Sequence, residues 1–303
     1  MMLILYSFLI ILYIFVGVVF VTLFERKILG LIQFRYGPNK ISLKGFFQSL
    51  SDAIKLMSKQ DFLFFFSSFI EYNFLPVGMF LFMLTLWLGI PSKLWDYNNG
   101  LLLVLCILSV GVYPIMYGAW FSGSLYSMLG SIRSIAQMVS YEVSMIMIIF
   151  SLIIFPKTFN FTGFFNEGYI MVFGLFSFLG MLLFISFLVE LGRSPVDLLE
   201  GESELVSGFN TEYSGFKFAL IFLSEYGMIM FMSGLLSSLM LGLSFFSVSW
   251  MMFTMLFIML IVWTRGIMPR IRYDKLMYLC WMIILIMALS ILSFNVGYVV
   301  SMI

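Results

Sequence analysis

Long apolar stretches alternate with polar ones along the whole chain, and their lengths point to a fold. A helix needs about 20 mostly apolar residues to cross the hydrocarbon of a bilayer. Eight stretches meet that measure: roughly 2–24, 72–92, 101–122, 134–155, 168–189, 218–241, 247–264 and 276–299. The division between the sixth and seventh is the least marked, because no charge occurs between Glu225 and Arg265. Only length and the small-residue stretch 242–249 separate them. Membrane strands would instead show segments of about ten residues with alternating hydropathy. The pattern therefore predicts an all-α, polytopic membrane helix bundle of about eight spans, one integral membrane domain over 1–303.

One apolar segment is not a span. In 44–60, Phe46, Phe47, Leu50, Ala53, Ile54 and Met57 recur at helical spacing, while Lys44, Gln48, Asp52, Lys55 and Lys59 take the other face. That is an amphipathic helix suited to the membrane interface. The first stretch, 1–24, carries no charge. It lacks the basic start of a signal peptide and exceeds its apolar core in length, so it reads as a retained first helix.

Composition narrows the class. Of 303 residues, 62% are hydrophobic and 10% charged, and the mean hydropathy is +1.10. A soluble domain carries about 25% charged residues. This excludes a soluble enzyme, a nucleic-acid binder and a secreted disulfide scaffold. There is no histidine, and the two cysteines, Cys106 and Cys280, lie in apolar runs. No metal site, no His-ligated haem and no histidine-based triad is expected in this chain, so any redox centre belongs to another subunit.

Charge distribution sets the topology. Of 16 basic residues, only Lys93 and Lys157 fall in loops after even-numbered spans; the other 14 follow spans one, three, five and seven. By the positive-inside rule that side faces the cytoplasm, or the matrix in a mitochondrion. The same side carries the long polar loops 25–61, 190–217 and 265–275. Basic bias alone needs no more than topology signalling, but three long, motif-dense loops suggest a docking face.

Carboxylates in or beside the spans carry the candidate chemistry. Glu142 falls near the middle of the fourth span and Glu225 about a third of the way into the sixth. Intramembrane acids are costly and mark functional sites by default, although a polar residue joining two helices is the plainer alternative. The stretch 190–213, ELGRSPVDLLEGESELVSGFNTEY, holds Glu190, Asp197, Glu200, Glu202, Glu204 and Glu212 with Arg193 as its one base. Glu190, Arg193 and Asp197 have the spacing of one helix face, with Pro195 distorting it. A solvated acidic loop and a proton-collecting mouth are both open readings. No phosphate loop, dinucleotide fingerprint or nucleophile elbow is present.

Four motifs then carry a resemblance: ERKILGLIQFRYGPN from Glu25, RSIAQMVSYE from Arg133, the acidic stretch with its core EGESELVSGFN, and RGIMPRIRYDKLM from Arg265. In this order they resemble the subunit 1 family of NADH:ubiquinone oxidoreductase, respiratory complex I, in its mitochondrially encoded form. The resemblance runs from the first span to the start of the last. It implies a subunit of a proton-translocating NADH:ubiquinone reductase that is not catalytic alone. It implies a place in the mitochondrial inner membrane with the N-terminus in the intermembrane space. Implied partners are the peripheral arm on the matrix face, neighbouring membrane-arm subunits, lipid and the substrate ubiquinone. Flavin and iron–sulfur clusters belong to the partner subunits.

By motif position, Arg26, Gln33, Arg35, Asp52, Tyr226, Arg270 and Arg272 correspond to the quinone channel. Glu142, Glu190, Arg193, Asp197, Glu200, Glu202, Glu204 and Glu225 correspond to an acidic path into the membrane arm. The chain departs from the usual family pattern at Val196, where Phe is common, at Gln60, where Glu is, and at Ser224, where Ala is. Two rivals remain: the homologous membrane subunit of a proton-pumping hydrogenase or bacterial complex, and a stand-alone carrier. Carriers usually show two related halves, and no convincing internal repeat is seen here.

Overall fold

A computed structural model of the chain describes residues 2–41, 43–60, 73–91, 97–122, 124–165, 176–197, 208, 210 and 213–302. Among these the regular structure is helical throughout. The helices are α1 (Met2–Ile32), α2 (Gln48–Ser58), α3 (Phe74–Leu88), α4 (Gly100–Val110), α5 (Val112–Ser122), α6 (Leu125–Ile153), α7 (Phe176–Glu190), α8 (Gly215–Leu241), α9 (Val248–Ile267), α10 (Tyr273–Tyr278) and α11 (Leu285–Met302). A π-helical stretch, Leu279–Ile284, joins α10 to α11 in one continuous rod. Among the described residues six segments are long and apolar enough to cross a membrane, and α3 and α7 are shorter apolar helices. Each of the eight expected spans thus has a helix.

The weakest expected boundary has a local cause. Gly242 ends α8 with φ +61°, a left-handed conformation that costs glycine little, and its N–H donates to the Ser238 carbonyl at 3.0 Å. The Ser247 hydroxyl then accepts from the Trp250 N–H at 3.2 Å and caps the start of α9. The third span is not straight: it breaks between α4 and α5 at Gly111. Pro114, in the first turn of α5, has no N–H to continue the ladder, and the Phe82 ring occupies the space where a Gly111 side chain would lie.

α8 is the central helix. It packs against α1, α2, α3, α7 and α9, and from Ile229 to Met240 every residue is buried. A helix that is apolar on all sides needs neighbours on all sides. Glycines allow close approach, as is common between membrane helices. The Met83 side chain packs on Gly227 and the Trp250 ring on Gly234. Two indoles fix the registry: Trp87 Nε1 donates to the Gly227 carbonyl at 3.2 Å, and Trp250 Nε1 to the Gly234 carbonyl at 3.0 Å. α6 forms a second centre, packed on α5, α7 and α11.

Two expectations need correction. The fourth span starts at Leu125, so Arg133 lies within α6 rather than in a loop. A helix satisfies its backbone in water and lipid alike, and hydropathy marks only its apolar part. Second, Glu190, Arg193 and Asp197 do not share a helix face. α7 ends at Glu190, Gly192 takes φ +57°, the Ser194–Pro195 bond is cis, and residues 191–197 are non-helical. The amphipathic segment is helical over Gln48–Ser58 and has no buried residue.

Candidate functional site

The site begins with α1 outrunning its apolar stretch. The helix continues to Ile32, so Glu25 and Arg26 stand on successive helical positions about 100° apart. Glu25 turns inward and is ion-paired with Arg265 near the end of α9. Arg26 turns outward and is ion-paired with Asp52 of α2. Gln48 donates from Nε2 to the other Asp52 oxygen at 3.1 Å. One helix end therefore ties both the last long loop and the interfacial helix to the bundle.

Arg193 is the junction. Its guanidinium donates to Glu225 Oε2 at 3.3 Å and lies 4.7 Å above the Tyr226 ring. Glu225 and Tyr226 are adjacent in α8, so the charge and the ring face the same cation. The Tyr226 phenol also interacts with Glu25 and Arg265. Arg193, Glu25 and Arg265 line one small gap of about 10 Å³ with Val21, Ile229 and Ile258. On the other side, Arg193 lines a cavity of about 60 Å³ with Glu190, Ser224 and Glu225. Met79, Phe82, Ile115, Met138 and Met228 complete a largely apolar lining.

The path continues in both directions. Toward the loop face, Asp197 accepts from Arg270 at 3.4 Å, and the Ile271 N–H donates to the Pro195 carbonyl at 2.8 Å. Toward the bundle, Glu142 of α6 stands close enough to Glu190 to interact with it electrostatically. The buried Oε1 of Glu142 has no hydrogen-bond partner among the described residues. Glu25, Glu190, Arg193 and Asp197 are only 5–8% exposed. Ionisable groups withdrawn from water at this level are retained where they are paired or serve a function.

The expected site residues thus divide. Arg26 and Asp52 meet, as do Arg193, Glu225 and Tyr226, and Arg270 and Asp197; Glu142 and Glu190 adjoin them. Gln33 and Arg35 have exposed side chains in the turn after α1, where the Arg35 N–H donates to the Gly30 carbonyl at 2.9 Å. Arg272 pairs with its near neighbour Asp274 at 3.3 Å, and both are exposed. Glu200, Glu202 and Glu204 lie outside the described residues. Sequence reasoning missed Glu25, Arg265 and Gln137 as site residues. Glu25 and Arg265 stand 240 positions apart, so no local pattern links them. The fully buried Gln137 sits inside a quoted motif, and a polar amide within an apolar span was its available signal.

Comparison with known proteins assigns the family. The family model described as NADH dehydrogenase matches residues 5–296. The NADH-ubiquinone oxidoreductase chain 1 of Aedes aegypti is 46% identical over 96% of this chain and 94% of its own length. That of Locusta migratoria is 45% identical over 95% and 93%, and that of Branchiostoma lanceolatum 42% identical over 92% and 90%. With a helical bundle of the expected kind and near full-length identity to these proteins, the chain belongs to the NADH-ubiquinone oxidoreductase chain 1 family.

Proposed function

We propose that this chain is the membrane subunit of a proton-pumping NADH:ubiquinone oxidoreductase that forms much of the ubiquinone chamber and couples quinone reduction to proton movement. One observation supports it above the others. A line of ionisable groups runs from Glu25 and Arg265 through Tyr226, Arg193 and Glu225 to Glu190 and Glu142, with Arg270 and Asp197 beside it; Glu25, Arg193, Glu190 and Asp197 are buried, and Arg265, Glu225 and Glu142 partly so. A purely structural bundle gains little from such a line, since a buried ion pair is often no better than a well-packed apolar pair.

Reduction of a quinone to a quinol takes up two electrons and two protons. In this reading the electrons arrive from flavin and iron–sulfur clusters in partner subunits on the face of the long basic loops. Arg26, Gln33, Arg35, Asp52, Arg270 and Arg272 give the chamber its polar waist. The change of charge at the reduced head alters the field at Arg193, whose pairing with Glu225 and stacking on Tyr226 respond to it. Glu190 and Glu142 carry that change inward as a change in proton occupancy. Glu200, Glu202 and Glu204 extend the acidic mouth. The membrane is the mitochondrial inner membrane, with the N-terminus in the intermembrane space.

The test is Asp197→Asn and Glu225→Gln in the assembled complex. Quinone-linked NADH oxidation and proton uptake should fall together, while NADH oxidation by an artificial acceptor at the flavin persists. Equal loss of both oxidations, or loss of neither, contradicts the coupling role.

A further inference from the structure

Gln137 is fully buried in α6 and spends its amide hydrogens on the last turn of α7 and on the segment that follows it. Its Nε2 donates to the Val189 carbonyl at 3.1 Å and to the Val196 carbonyl at 3.2 Å. Those carbonyls belong to the residues immediately before Glu190 and Asp197. The two bonds therefore bracket the non-helical segment that carries Arg193. We propose that Gln137 is a positioning residue that sets the separation of Glu190 and Asp197 by clamping both ends of the segment between them. The inference rests on the acidic-path reading above.

The need for such a clamp follows from local geometry. A helix end leaves its last carbonyls without intrahelical partners, and residues 191–197 have no ladder to hold them. Within the segment the Gly192 N–H donates to the Val189 carbonyl at 3.0 Å and the Val196 N–H to the Arg193 carbonyl at 2.9 Å. These bonds form two local turns but do not join one turn to the other. The outer side is tied by the Ile271 N–H to the Pro195 carbonyl. On the bundle side Gln137 joins the two turns. Its length suits the role: Asn is shorter by one methylene, and Met fills the space but donates nothing. With the clamp intact, Arg193 reaches Glu225 and Tyr226 from a fixed backbone.

Two substitutions in the assembled complex test this. Gln137→Met keeps volume and removes both donors. Quinone-linked turnover should fall about tenfold, the scale of losing one or two buried hydrogen bonds, and the loss relative to wild type should be the same at every pH. Gln137→Glu keeps shape but donates one hydrogen bond only when protonated. Its activity relative to wild type should be highest at acid pH and decline as pH rises. The charged groups on the elements around the position (Arg133, Glu142, Glu190, Arg193, Asp197, Glu225 and Arg270) are the same in variant and wild type, so the ratio reports the new carboxyl together with its coupling to them.

Ionisation of a buried carboxyl lowers activity as pH rises even at a packing position, so the Gln137→Glu trend supports the clamp only together with impairment of the uncharged Gln137→Met. Wild-type turnover in Gln137→Met overturns the proposal, and so does a Gln137→Glu ratio with no pH trend. If Gln137→Met prevents assembly, Gln137→Asn decides: it keeps the amide but is too short to hold both carbonyls, so its turnover should fall, and wild-type turnover in it overturns the proposal. Glu190→Gln and Asp197→Asn separate the two levels of the argument. Impairment by these two with silent Gln137 variants removes the clamp and leaves the acidic path. Silence of these two removes the path itself.

Discussion

Glu142→Gln separates a relay from helix glue more cleanly than other changes in the bundle. Among the described residues Glu142 makes no ion pair, and its buried Oε1 accepts no hydrogen bond. The substitution therefore breaks little. Interhelical polar contacts in membranes average ~0.6 kcal/mol, so the structural cost should stay below about 1 kcal/mol and assembly should be near normal. The functional cost is of another kind. Gln preserves shape and hydrogen-bonding capacity but cannot ionise, so any step that needs Glu142 to change charge stops. Loss of a positioned proton-transfer group costs roughly 100-fold or more in the affected step. A parallel route through Glu190 would reduce that loss, and we expect quinone-linked turnover to fall at least about tenfold. The assay is quinone-linked NADH oxidation with proton uptake in vesicles, both normalised to assembled complex. Wild-type values for both would refute the relay role and leave Glu142 as packing.

Three further outcomes follow from the same geometry. Arg35→Met should impair quinone turnover while artificial-acceptor activity and assembly persist, because the Arg35 side chain is exposed; parallel loss of assembly would argue against a channel role. Arg265→Met breaks the pair with buried Glu25, a change of about 3–5 kcal/mol at full burial and less here because Arg265 is partly exposed. It should lower the amount of assembled complex more than Arg26→Met, whose exposed pair is worth ~1 kcal/mol or less; the reverse order in a thermal-stability assay would contradict this ranking. Protease added to mitochondria whose outer membrane is opened and inner membrane intact should spare loop 190–217, and cleavage there would invert the proposed topology.

Much of the bundle is legible in the sequence because bilayer thickness imposes a length on every apolar run. The break at 242–247 is visible in its small residues, and the α2 faces are visible in their spacing. Other features depend on contacts that no window contains. The bend at Gly111 needs the Phe82 ring beside it as well as Pro114 three residues on. The segment after Glu190 loses its helix although charge spacing favours one, since Gly192 and Pro195 prevail and Gln137 and Ile271 supply distant partners. The acids of the candidate path are readable one at a time as costly residues near lipid. Their connection through Arg193 is not, because that residue meets α8 across 32 positions of chain. The π-helical turn at Leu279–Ile284 has no evident sequence signal; the Tyr141 hydroxyl donates nearby to the Leu276 carbonyl at 3.0 Å.

In the proposed chamber, the charged end of α1, α2, α8 and α9 faces ubiquinone. Photolabelling the assembled complex with a ubiquinone analogue that carries its reactive group on the head, followed by peptide mapping, tests it most directly. Labels are expected within 25–60, 190–197 and 265–272 and around Tyr226 of α8, competed away by excess ubiquinone and diminished by Arg35→Met. Competable labels confined to other subunits, with none in these segments of this chain, would contradict it.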